Sequence, residues 1–143
     1  MSRFPTPETL RIVCASLGID RNGLQQLFNV DSRTAQRWIA TRPANPRIQD
    51  QIAAWQSSVS AELETVLSEV DEQWSDGKVV RLVRYPDVDF MPPADARSIW
   101  WHSPATYDAF VSRLAATLFD QKVPFVVETA TSPQPHVRIE PAG

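Results

Sequence analysis

Ser32, Arg33, Thr34, Gln36 and Arg37 crowd hydrogen-bonding side chains, none of them acidic, into one short stretch. A guanidinium fork bonds bidentately to a guanine edge or a phosphate, and hydroxyl and amide groups bond to other base edges. The stretch therefore carries the chemistry of base reading in a DNA major groove. On a helix these positions lie outward while Ala35, Trp38 and Ile39 turn inward. Asp31 or Ser32 supplies an oxygen to cap that helix. Upstream, Asp20 caps a shorter helix whose buried face is Leu24, Leu27 and Phe28. Asn29, which tolerates left-handed backbone, ends it sharply before Val30 turns inward. Two helices joined by a tight turn thus position the base-reading candidates. Arg21, Arg42 and Arg47 fall near the ends of this motif, where phosphates would be held.

From these residues, the segment resembles the helix-turn-helix of the Cro and phage-repressor (XRE) family of transcriptional regulators, over about residues 5 to 55. The resemblance implies a first helix from Pro7 to Leu17, capped by Thr6, with Leu10, Val13, Cys14 and Leu17 facing the core and Gly18 at its end. Two positions depart from the family pattern. Gln25 stands where a small residue usually allows the helices to cross closely, and Asn29 replaces the usual turn glycine.

The charge is unevenly spread. The chain is net −3, yet residues 1 to 55 hold seven arginines against Glu8, Asp20, Asp31 and Asp50, a balance of +3. The remainder holds seven basic groups against thirteen acidic ones, a balance of −6. Such asymmetry is expected of one DNA-facing module joined to a module with another task. With 143 residues, of which 43% are hydrophobic, the chain fits one domain or two small ones with a packed core. No signal-peptide pattern and no long apolar run are present, so a soluble, cytoplasmic protein without a membrane partner is expected. The single cysteine, Cys14, excludes an intramolecular disulfide and a thiolate-rich metal site.

Asn45 and Pro46 are a cap and first-turn pair that starts another helix. Apolar residues recur at Ile48, Ile52, Trp55, Val59, Leu63, Val66, Leu67, Val70 and Trp74, in steps of three and four that predict a helix from Pro46 to about Ser75. Its later stripe, flanked by Glu62, Glu64, Glu69, Asp71 and Glu72, requires cover, more often from the same chain than from a second subunit. Ser75 to Lys78 reads as a stop and turn. Strands are expected at Val79–Tyr85, Ile99–Trp101 and Val123–Thr129, with Pro124 in a placement an edge strand allows. Asp87 to Asp95 reads as a loop. Ser103-Pro104 opens a helix to Gln121 with Tyr107, Phe110, Val111, Leu114 and Leu118 inward. Residues 130–143 form a tail or an edge strand around Val137–Glu140. The expected fold is α+β: an all-α helix-turn-helix domain over 1–56, then a long helix and a small antiparallel-sheet-plus-helix module over 57–129.

Asp76-Gly77, Arg81 to Tyr85 (Arg-x-x-Arg-Tyr), Trp101 and Leu114-Ala115-Ala116 follow the helix-turn-helix in an order similar to the YdiL-like proteins, which include anti-CRISPR-associated autorepressors. That resemblance implies a homodimer built by the long helix and C-terminal module, with two recognition helices reading an inverted repeat in the protein's own promoter. Leu63, Leu67, Trp74, Trp100 and Trp101 are the dimer-interface candidates.

Other chemistry is weakly supported. His102 and His136 are far apart and lack metal-site spacing; His102 reads better as a capping or interface group. Asp87, Asp89 and Asp95 lack the glycine and terminal glutamate of a calcium loop. Tyr85, Trp100 and Trp101 suit an RNA-stacking surface, though cores and dimer interfaces use such residues more often. No catalytic motif, cofactor or metal site is expected. The reading is a homodimeric transcriptional repressor binding double-stranded DNA. Its alternatives are an antitoxin whose C-terminal module binds a toxin, and a protein-interaction or RNA-binding module with a structural helix-turn-helix.

Overall fold

The computed structural model describes residues 4–91 and 103–143. Expectations resting on Arg3, Pro92, Pro93, Asp95, the Ile99–Trp101 strand, Trp100, Trp101 and His102 lie outside the described residues. The fold is mixed α+β. Helices α1 (Pro7–Ser16), α2 (Arg21–Phe28), α3 (Ser32–Ala40) and α4 (Pro46–Gln73) come first; strand β1 (Lys78–Arg84), a 3-10 turn at Val88–Phe90, helix α5 (Pro104–Asp120) and strands β2 (Phe125–Thr129) and β3 (Val137–Pro141) follow. The chain divides into two compact units, Met1–Ser58 and Val59–Gly143, with the division inside α4.

In the first unit, Thr6 caps α1 by accepting from the Thr9 N–H at 3.2 Å, and Pro7 occupies the first turn, where its missing N–H costs nothing. Gly18 follows the helix with φ of +73°, a conformation that favours glycine. Leu10, Cys14, Leu17, Ile19, Leu24, Ala35 and Ile52 are buried and form the core, while Val13 is only half-buried. Burial pushes the Cys14 thiol up to about 12, because a thiolate there would lose its hydration. The N-terminal segment is tied down by a polar clasp: buried Gln49 on α4 accepts from the Phe4 N–H at 3.1 Å and donates to the Ala44 carbonyl at 2.7 Å. Both ends of one amide are thus satisfied indoors. Phe28 packs edge-on to Trp38, with centroids 6.0 Å apart, and tilted against Trp55 at 6.1 Å.

In the second unit, β1 is the central strand, parallel to β2 and antiparallel to β3. The sheet is mixed, a correction to the purely antiparallel expectation. The physical reason is α5: a strand–helix–strand crossover returns the chain in the same direction, whereas antiparallel neighbours need only a hairpin. Alternate residues Val80 and Leu82, and Val79 and Val83, are all buried, so β1 is covered on both faces. Helix α5 packs on β1 and β2, burying Tyr107, Phe110, Val111, Leu114 and Leu118. It begins with a capping box in which Ser103 and Thr106 satisfy each other's backbone N–H.

Within this unit, α4 buries Val59, Val66 and Val70. Glu62 departs from its expected place among the flanking acids, because it is buried with a carboxylate oxygen 3.9 Å from the His136 imidazole. Leu63, Leu67 and Trp74 are half-buried, and the Trp74 indole donates to the Lys78 carbonyl at 2.9 Å, which pins the turn after the helix. Residues 137–141 form a strand, β3. The expected loop after Pro86 contains one 3-10 turn, capped by Asp87.

Candidate nucleic-acid interface

The outward face of α3 is set by caps on both sides of a short turn. Asp20 accepts from the Gly23 N–H at 2.8 Å and starts α2. Asn29 ends it in the left-handed region, φ 52° and ψ 49°, with its N–H returning to the Gln25 carbonyl. Asp31, not Ser32, then caps α3, accepting from the Thr34 N–H at 2.7 Å. The hydrogen bonds from the Thr34 backbone and side chain, assisted by Arg33 and Arg37, hold the Asp31 carboxyl below its usual range. Gln25, at the expected helix crossing, is half-buried; the tight spot at Gly23, where a Cβ would meet the Ile19 side chain at 3.2 Å, is a contact between the first turn of α2 and the residues leading into it.

Helix α3 packs on both α1 and α2 through its buried Ala35 and half-buried Trp38 and Ile39. Ser32, Arg33, Gln36 and Arg37 are exposed and share the opposite face, as their helical spacing requires. Thr34, the remaining base-reading candidate, is half-buried and engaged with the Asp31 carboxylate. Its hydroxyl is therefore committed to the cap more than to any groove. Arg21, Arg42 and Arg47 are also exposed: Arg21 opens α2, Arg42 follows α3 with its N–H bonded to the Arg37 carbonyl at 2.8 Å, and Arg47 sits in the first turn of α4. Arg21 and Arg11 together flank a 390 Å³ cleft whose walls include Cys14, Ile19 and Ile39. Among the described residues, Arg33, Arg37, Arg21, Arg42 and Arg47 form no ion pair, so their guanidinium groups keep all their donors available.

The arginines of the second unit behave differently. Arg81 pairs with Glu128 at 3.7 Å and with Glu140, Arg138 bridges the same two carboxylates, and Arg84 holds Asp108 at 2.7 Å. Arg81, Glu128, Arg138 and Glu140 close a square of alternating charge across the three strands. Tyr85, considered for base stacking, is buried; its hydroxyl donates to the Gln134 carbonyl at 2.6 Å and its ring lies 4.8 Å from that of Tyr107. Burial pushes the Tyr85 phenol up to about 12 and that of Tyr107 higher still. A stacking platform needs open ring faces, and Tyr85 has none to offer. His136 packs against the rings of Tyr107 and Phe110, edge-on at 6.0 and 6.5 Å. Sequence reasoning missed Gln49 and the charge square; both depend on partners tens of residues away, which no local pattern reveals.

No family model matches the chain, and no curated protein matches it either. Among the described residues no helix is long and apolar enough to cross a membrane.

Proposed function

We propose that the chain is a sequence-specific DNA-binding repressor, acting in the cytoplasm as a homodimer on an inverted repeat, without catalytic activity. The supporting observation is the exposed face of α3, where Ser32, Arg33, Gln36 and Arg37 stand beside one another and, among the described residues, both guanidinium groups are without ion pairs. An unpaired arginine pair on the second helix of a helix–turn–helix arrangement has the donors that read guanine edges. The exposed Arg42 and Arg47, near the ends of the motif, suit phosphate contacts that set register. Autoregulation is part of the reading through the resemblance of the C-terminal half to the YdiL-like autorepressors.

Selection of bound sequences from a random duplex pool tests it. An enriched sequence with two symmetry-related half-sites, separated by about one helical turn or a multiple of it, is the expected result. Recovery of the starting pool unchanged, with equal retention by the Arg33→Glu/Arg37→Glu variant, overturns it in favour of a structural helix-turn-helix. A toxin partner for the C-terminal unit would instead show as co-purification of a neighbouring gene product.

A further inference from the structure

The hydrogen-bond ladder of the sheet reveals which of its edges is open. The Val80 N–H bonds to the Pro124 carbonyl at 3.0 Å and the Ala130 N–H to the Arg84 carbonyl at 2.8 Å. Main-chain groups alternate sides along a strand, so the even-numbered residues of β2 face β1, and Phe125, Val127 and Thr129 direct their N–H and C=O groups outward. Pro124, the one residue nearby that lacks an N–H, spends that deficit on the inner side. Among the described residues nothing pairs with the outer edge of β2, whose three outward residues each carry a donor and an acceptor.

The other edge is guarded. Val83 bonds to the His136 carbonyl, so on β3 the odd-numbered residues face outward, and Pro141 is one of them. A proline turned outward removes a donor where a further strand would need it, a common protection of sheet edges. The β2 edge also carries exposed apolar side chains on both faces, Val126 at 41% and Val127 at 44%, with Phe119 at 75% close by in sequence at the end of α5. A lone edge strand with these properties is a template for pairing.

We infer that β2 pairs antiparallel with β2 of a second copy, centred on Val127, and that this edge is the homodimer interface. The inference rests on the two-copy reading of the chain given above. An antiparallel pair related by a twofold axis presents the same edge to itself, so donors and acceptors match without any other partner. Centring on Val127 uses every outward residue: Val127 meets Val127 of the partner subunit, and Phe125 meets Thr129 of the partner subunit, with about six main-chain bonds in an antiparallel ladder. The same register sets the partner's chain beyond its β2 alongside Val123 and Lys122, two of the residues that line a 670 Å³ cleft. The interface candidates Leu63, Leu67 and Trp74 are half-buried within their own chain, which leaves β2 as the more open surface.

Sedimentation equilibrium on the full chain tests the inference with the variants Val127→Lys and Val88→Lys. Val127 is exposed and its N–H faces away from β1, so the lysine is accommodated in a monomer, but two copies would meet on the axis as like charges. Val88, also exposed, lies outside the edge and serves as control. The expected result is a dimer for the parent and Val88→Lys, and a monomer with unchanged far-UV circular dichroism for Val127→Lys. Binding to an inverted repeat should fall about a hundredfold while half-site binding is retained. A monomeric parent, or a Val127→Lys dimer, overturns the interface. If Val127→Lys loses its circular dichroism, Val127→Pro, which deletes one outward donor without touching the β1 ladder, decides by the same measurement. Failure of DNA recognition is read separately: a parent that dimerises through β2 yet binds no duplex sinks the regulator and leaves the interface standing.

Discussion

Arg37 and Arg42 are close in sequence and exposed, yet the reading assigns them different tasks. Replacing Arg37 by Ala should cost about 1–3 kcal/mol and relax preference at one base, as loss of a bidentate edge contact does. Replacing Arg42 or Arg47 should weaken all sequences alike and shallow the salt dependence by about one unit, measured by titration at several salt concentrations. Identical loss in both kinds of variant would refute the division of roles. Asp31 is a second residue with a measurable signature. Its folded pKa is depressed, first by the Thr34 hydrogen bond, so its contribution is present above the unfolded carboxylate value and lost as pH falls through the folded one. The protection factor of the Thr34 amide, the intrinsic exchange rate over the observed one at each pH, should fall on acidification through that window, and Asp31→Asn, which keeps an acceptor oxygen, should remove that fall. Asp31 was legible as a cap from its type and position; the choice of Asp31 over Ser32 was not, because both offer a suitable oxygen.

Element boundaries were readable where side chains alone decide them. The inward stripe of α5, Tyr107, Phe110, Val111, Leu114 and Leu118, follows helical spacing and is buried throughout. Where the backbone decides, the sequence was less informative. Lys122 ends α5 with φ of +59°, a left-handed conformation that nothing in its side chain favours. Lys122→Gly should therefore raise thermal stability by about 1 kcal/mol, the strain a side chain pays in that region less the entropy glycine returns to the unfolded chain. An unchanged or lowered melting temperature would show that Lys122 is held there by interactions outweighing its strain. Strand direction was missed for a similar reason: alternation identifies a strand but not which way it runs. The β1–α5–β2 order held the clue, since a helix between two strands permits the parallel return. Glu62 was misplaced because its burial beside His136 depends on a residue 74 positions later in the chain.

Across the whole chain, charge and pH act on the two units in different ways. The first unit is basic and leaves its recognition-face arginines unpaired, while the second is acidic and pairs Arg81, Arg84 and Arg138 internally. That contrast was legible from the sequence as a difference in balance, but not as a difference in pairing, which requires the sheet register. At high pH each unit should weaken through a buried acid, the first through the Cys14 thiol from about 9 and the second through its phenols from about 10. Tyr85 and Tyr107 have raised folded pKa values, so their contribution is complete below the unfolded value near 10 and is lost as pH rises, for Tyr85 through about 12. Melting curves taken from about pH 8 to 11 should show a falling midpoint above about 10, and Tyr85→Phe should flatten that fall. A slope unaltered by Tyr85→Phe would remove the phenol from the explanation.

The burial of Cys14 has a practical consequence. Its sulfur is the chain's only one of that kind and is both enclosed and protonated at ordinary pH. Maleimide dyes and spin labels would thus pass over the native molecule, and a thiol introduced at any surface position becomes an addressable handle without first deleting another.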